Sequence, residues 1–126
     1  MRCHFMSCLI VVTLFTGVAL AEPFEPNRLE VTVLDTGLNR PMELEVAPDG
    51  RIFYVELDGQ MKIYKPDTRQ TVVAADFKVF TPQENGLLGI ALDPKFAENQ
   101  WVYIHYSPTD YDGQYISRFT MKRDRL

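Results

Sequence analysis

Glu84-Asn85-Gly86-Leu87-Leu88-Gly89-Ile90-Ala91-Leu92-Asp93-Pro94, then Lys95 to Gln100, then Trp101-Val102-Tyr103-Ile104-His105-Tyr106-Ser107: this stretch holds two apolar runs of strand length. The polar loop between them opens on an Asp-Pro turn. Leu87 to Leu92 lacks an alternating polar face, so it reads as a strand buried on both sides. Trp101 to Tyr106 is aromatic and β-branched, which suits a pleated, packed surface. Glu84 and Asn85 sit just before the buried strand, where a rigid support can present a carboxylate and an amide to a pocket.

The same pattern occurs once upstream. Met42-Glu43-Leu44-Glu45-Val46-Ala47-Pro48 lies over Leu88-Gly89-Ile90-Ala91-Leu92-Asp93-Pro94, an offset of 46 residues. Ile52-Phe53-Tyr54-Val55 then lies over Val102-Tyr103-Ile104-His105, and Lys62-Ile63-Tyr64 over Ser117-Arg118-Phe119. Ala47-Pro48-Asp49-Gly50 reads as a tight turn, with Pro at the first corner and Gly tolerating positive φ. Asp58-Gly59 is a two-residue hairpin signal, and Thr71 to Ala74 a short fourth strand. Leu29 to Leu34 alternates apolar and polar residues, as a half-exposed strand does. Helical spacing is nowhere sustained, so the chain reads as all-β. Units of about 40–50 residues with four short strands are the blades of β-propellers. Two such units do not close a ring, which predicts the first two blades, roughly, of a longer propeller.

The start of the chain reads differently. Arg2, a short apolar core ending at Leu20, and Ala19-Leu20-Ala21 make a signal peptide over residues 1–21, cleaved between Ala21 and Glu22. An extended leader, 22–28, carries Pro23 and Pro26, and the partial propeller covers 29–126. Cleavage removes Cys3 and Cys8, leaving no thiol for disulfides or metal ligation. The remaining 12 basic and 17 acidic residues give a net charge of −5 with no basic run. Nucleic acid is thereby a poor partner, and no membrane association is expected after cleavage.

Asn85-Gly86-Leu87-Leu88-Gly89-Ile90-Ala91-Leu92-Asp93-Pro94-Lys95-Phe96, followed by Trp101-Val102-Tyr103-Ile104, closely resembles the glucose/sorbosone dehydrogenase family. These are relatives of soluble sugar dehydrogenases dependent on pyrroloquinoline quinone (PQQ). Leu38 to Met42 with Pro48 to Ile52 is similar to the family's opening blade, and Ile116-Ser117-Arg118-Phe119 to its next strand. The resemblance spans nearly all of Leu29 to Leu126. It implies a six-bladed propeller, secreted or periplasmic, that binds PQQ at the mouth of a central channel and uses calcium. In that family a His takes the proton of the sugar C1 hydroxyl while hydride passes to the quinone.

The resemblance also bears on individual residues. The position before Asn-Gly-Leu-Leu-Gly lies by the substrate pocket and is Gln in the best-known glucose enzymes. Here it is Glu84, which when ionised accepts hydrogen bonds but donates none. Glu84 and Asn85 are therefore the substrate-binding candidates, with a sugar as substrate. The catalytic His, the basic residues that clamp the quinone and the calcium ligands belong to later blades and have no counterpart before Leu126. The resemblance thus places no catalytic residue in this chain, expects it to be inactive alone, and leaves room for further domains downstream.

Two other readings of the residues stay open. One is a non-catalytic propeller module binding carbohydrate or a protein. The other is a ring-opening esterase or lactonase, which requires a metal-ligating cluster of Glu, Asn and Asp at the channel. His105, within an aromatic strand, reads as a packed or edge histidine, and Asp110-Tyr111-Asp112-Gly113 as hairpin-turn chemistry rather than a calcium loop. Tyr103, Tyr106 and Tyr111 read first as packing residues and second as a surface for stacking sugars.

Overall fold

The computed structural model describes residues 29–126. The signal segment, its Ala21–Glu22 cleavage site and the leader 22–28 lie outside the described residues. Thr32–Leu126 forms one compact unit. In it, β1 (Pro41–Val46), β2 (Ile52–Glu56), β3 (Gln60–Lys65) and β4 (Gln70–Asp76) make a four-stranded antiparallel meander. A second meander contains β5 (Leu87–Leu92), β6 (Trp101–Tyr106) and β7 (Tyr115–Thr120), with a four-residue helix, α1 (Phe96–Asn99), between β5 and β6. The 46-residue repeat is therefore real: β1, β2 and β3 correspond to β5, β6 and β7.

Strand parity explains the core. Phe53 pairs with Ile63 and Val55 with Met61, so these four side chains share one face of the first sheet. Ile90 pairs with Ile104, and Leu92 with Val102, on the facing side of the second. Phe53, Val55, Met61, Ile63, Ile90, Val102 and Ile104 are all buried, each such side chain being worth roughly 1.5–3 kcal/mol of burial. Phe96, carried by α1, plugs the end of this layer edge-on to Phe53 at 5.4 Å.

The turns follow the residues that demand them. Gly50 N–H donates to the Ala47 carbonyl at 2.9 Å with φ +85°, as the Pro-Asp-Gly reading requires. At the equivalent corner Asp93 does more. One carboxylate oxygen accepts Lys95 N–H and the Asn99 amide, both at 2.9 Å, and the other accepts the Tyr103 hydroxyl at 2.8 Å. The Asp58-Gly59 corner is displaced one residue towards the N-terminus. Gly59 N–H donates to Glu56 O, so Leu57 and Asp58 occupy the centre and Gly59 follows at φ +113°. A Cβ on Gly59 would stand 2.2 Å from the Phe77 carbonyl oxygen, so glycine is required on two counts.

Two sequence expectations need correction. Leu29 to Leu34 forms no strand, and Val31 and Val33 are exposed. Alternation makes a strand only where a neighbouring edge supplies a ladder, and among the described residues β1 pairs only with β2. Asp35 instead anchors the segment, accepting hydroxyl hydrogen bonds from Tyr54 at 2.8 Å and Thr71 at 2.5 Å. Nor is β5 buried on both faces. Leu87 and Ile90 are buried, whereas Ala91 is exposed on the side that no described sheet covers.

The C-terminal segment is held to the first sheet by charge. Asp124 accepts from Lys65 Nζ at 2.9 Å and from Arg51 at 3.3 Å, while Arg51 also lies over the Phe53 ring, 5.2 Å from its centroid. The Thr71 and Tyr54 hydroxyls hold the Asp35 carboxyl below its ordinary range, and the Lys65 ammonium, with Arg51, does so for Asp124. A carboxyl whose pKa is lower folded than unfolded stabilises the fold above its unfolded value, near 3.9, and loses that contribution as pH falls through the lowered value. Stability is therefore expected to fall away below about pH 4. The Asp35→Asn variant should be less stable at neutral pH and show a shallower acid limb in denaturant midpoints measured from pH 2 to 7. Superimposable profiles would remove Asp35 from this account.

Candidate functional site

The candidate site lies where β5 begins. Four pieces of chain meet at this end of the sheets: the segment Asn39–Arg40, the turn Leu57–Gly59, the loop Thr81–Gly86 and the hairpin Ser107–Gln114. Leu87 N–H donates to the Leu57 carbonyl at 2.9 Å, crossing from the second sheet to the first. Gly86 makes this approach possible, since a Cβ there would stand 2.5 Å from both Leu57 Cδ1 and Leu57 O, and its φ is +148°. Ser107 N–H donates to Gly86 O at 2.9 Å, and Phe80 N–H to Ser107 O at 2.9 Å, so the loop is strung between two strand ends.

Asn85 organises that loop. Its Oδ1 accepts the hydroxyl of the buried Ser107 at 2.9 Å, and its Nδ2 donates to the Pro82 carbonyl at 3.0 Å. Both ends of the amide are therefore engaged within the protein. Glu84 differs: it is exposed at the loop tip, after Gln83 at φ +61°, with no hydrogen bond or ion pair to another described residue. The two candidates are thus adjacent but unlike, with Asn85 holding the loop and Glu84 presented by it.

Sequence reading missed Glu43. Its Oε2 accepts Ile90 N–H at 3.0 Å across the β1–β5 seam, beside the register shift between Leu87 and Gly89. A Cβ on Gly89 would stand 2.8 Å from that same oxygen, so a side chain there would displace the Glu43 carboxylate. A Glu facing a Gly 46 residues later is the only sequence trace of this bond. Nearby, Glu56 is buried and accepts Asn39 N–H at 2.9 Å and Lys62 Nζ at 2.8 Å. Asp58 accepts Asn39 Nδ2 at 2.8 Å and Arg40 Nη1 at 3.0 Å. His105 is half-buried, its Nε2 2.8 Å from Gln114 Oε1.

The described residues do not fit a PQQ or calcium site by themselves. No group of three or more His, Cys, Asp or Glu side chains among them is arranged to hold a metal ion. Of the cations near this end, Arg40 is committed to Asp58 and Lys62 to Glu56. What this end offers is a rim: the exposed carboxylate of Glu84 on a loop fixed at both of its roots, with Asp110 and Asp112 exposed on the neighbouring hairpin.

Residues 38–126 match the model of the Glucose / Sorbosone dehydrogenase family. The chain is 35% identical over 100 residues to an uncharacterized protein of Synechocystis sp. (strain ATCC 27184 / PCC 6803 / Kazusa), covering 72% of this chain and 24% of that one. Its fold is similar to an oxidoreductase of Thermus thermophilus designated a glucose dehydrogenase (TM-score 0.68, 26% identity, 73% of this chain and 28% of that one). It is likewise similar to the PQQ-bound form of an aldose sugar dehydrogenase from Streptomyces coelicolor (TM-score 0.67, 25% identity, 74% and 28%). The apo form of a soluble aldose sugar dehydrogenase from Escherichia coli shares the fold (TM-score 0.63, 20% identity, 75% and 29%). The chain thus spans about a quarter of the length of these relatives.

Removing the Asn85 side chain leaves the buried Ser107 hydroxyl without its acceptor, a loss of about 1–3 kcal/mol. Asn85→Ala should therefore lower the denaturant midpoint, and Asn85→Asp, which keeps the acceptor for Ser107 but sets a carboxylate oxygen against the Pro82 carbonyl, should recover only part of it. Equal midpoints for Asn85→Ala and the parent protein would show that the loop is held by its backbone bonds alone.

Proposed function

Since the chain belongs to the glucose/sorbosone dehydrogenase family, we propose that it is the N-terminal part of a secreted sugar dehydrogenase that oxidises a sugar hydroxyl by hydride transfer to PQQ. The observation that carries this chain's share of the work is the placement of Glu84. It is an exposed carboxylate on a loop locked by Asn85–Ser107 and Gly86–Leu57, at the start of β5. Such a group is pre-organised to accept hydrogen bonds from sugar hydroxyls, so less ordering cost falls on the bound state. PQQ, when bound, supplies the redox chemistry. The groups that hold it, the base that takes the hydroxyl proton and any calcium ligands belong, on this reading, to parts of the whole protein outside residues 29–126.

Glu84 then acts in selecting the sugar. An ionised carboxylate favours substrates that donate two hydroxyls to it, where an amide at the same place would donate as well as accept. In the whole protein, supplied with PQQ and calcium, Glu84→Ala should raise KM for the preferred aldose roughly 10- to 150-fold, the worth of one hydrogen bond to a charged group. Glu84→Gln should reorder the preference among sugars in a dye-linked oxidation assay. Kinetics unchanged across the sugar panel would leave Glu84 a solvated loop acid.

A further inference from the structure

The hairpin between β6 and β7 carries two tyrosines that the site above does not use. The Tyr111 and Tyr115 rings are stacked, with centroids 5.0 Å apart and planes 18° from parallel. Tyr115 stands edge-on to Tyr106 at 5.9 Å, and Tyr106 in turn packs on Phe77 at 5.4 Å. A continuous series of rings thus leads from the core to the surface, and its last two members are 40% (Tyr115) and 53% (Tyr111) exposed. Gly113 lets Tyr111 lie against the hairpin backbone, since a Cβ there would stand 2.5 Å from Tyr111 Cε1. The ring is held in place at an exposed position.

This exposure does not arise from the open face of the second sheet. Tyr115 pairs with Tyr106 and shares its side with Ser117 and Phe119, the side turned towards the first sheet. The open face carries Tyr103, His105 and Ile116 instead. The root of the hairpin is also tied to the Glu84 loop, through Ser107 Oγ to Asn85 Oδ1 and the bridge between Val79 and Pro108. Polar groups flank the rings: Asp110 and Asp112 are exposed, and Gln114 is oriented by His105.

An exposed, immobilised aromatic face beside carboxylates suits a pyranose ring. The sugar's C–H face packs on the negative face of the aromatic ring, and its hydroxyls find acceptors at the edge. We propose that Tyr111 and Tyr115 form a platform for a second sugar unit, so that the substrate class is an oligosaccharide chain rather than a free monosaccharide. The inference rests on the sugar-dehydrogenase reading for the identity of the first unit, but binding at the platform does not require turnover.

The test is calorimetric titration of the whole protein with glucose, maltotriose and cellotriose, alongside oxidation assays with the same sugars. At least one trisaccharide should bind roughly tenfold more tightly than glucose. Tyr111→Ala and Gly113→Ala should abolish that advantage, Tyr111→Phe should retain it, and glucose affinity should stay constant throughout. A trisaccharide bound no more tightly than glucose, or an advantage that survives Tyr111→Ala, overturns the platform. Normal glucose oxidation with no trisaccharide advantage removes the platform alone. A Tyr111-dependent trisaccharide advantage without oxidation of any sugar supports the platform and removes the dehydrogenase reading.

Discussion

The hydrogen bond from Leu87 N–H to the Leu57 carbonyl joins the two sheets at the end where the candidate residues collect. It forms only because Gly86 has no side chain to collide with Leu57. The bond fixes the point where the chain leaves its connecting loop and enters β5, and with it the register of Leu87 against Tyr106. Ser107, at the end of β6, then donates to Gly86 through its backbone and to Asn85 through its hydroxyl. The loop that presents Glu84 inherits its order from this one crossing. A loop placed by strand ends on both sides holds a functional group more rigidly than its length suggests.

Carboxylates recur as the connectors of this acidic chain. Asp35 joins Tyr54 to Thr71, Glu43 joins β1 to β5, Glu56 joins Asn39 to Lys62, Asp93 closes its turn onto β6, and Asp124 clasps Lys65 and Arg51. Each accepts at least two donors or spans two elements, which satisfies polar groups at the margins of an otherwise apolar layer. Glu84 stands apart from these five because it engages no described partner. The loop that carries it is nevertheless cross-linked at both roots, through Gly86 and Asn85.

The strands and their repeat were legible because local chemistry specifies them. Pro48 and Pro94 mark equivalent corners, and the alternation in Phe53, Val55, Met61 and Ile63 already assigns a common face. What was not legible depends on groups far apart in sequence. Nothing near Glu43 announces that it caps Ile90 N–H 47 residues away, and nothing in Leu29–Leu34 shows that no strand edge among the described residues pairs with it. Ala91 lies on a face that local hydrophobicity could not distinguish from its buried opposite. At the candidate site, the engagement of the Asn85 amide with Ser107 is a tertiary fact invisible in the surroundings of either residue. The stacking of Tyr111 on Tyr115 is likewise set by the hairpin geometry and by Gly113.

The two outward faces of the pair of sheets explain why the site is placed where it is. On the first sheet, Leu44, Ile52, Tyr54 and Tyr64 share the outer side, and with Leu34 and Leu38 they line a cleft of ≈ 320 Å³. An antiparallel sheet meant for water on one side alternates apolar with polar residues, and this face does not. On the second sheet the open side is mixed, with Arg118 over Trp101 at 4.0 Å and Ile116 largely exposed. Both sheets are therefore members of a stack, in which stability accrues at each neighbouring interface rather than within a single unit. Stacking in a constant register brings the same end of every sheet to the same surface. The loop before β5, the turn after β2 and the hairpin after β6 arrive there together. On this pair of sheets that end carries the exposed Glu84 carboxylate and the stacked Tyr111 and Tyr115 rings.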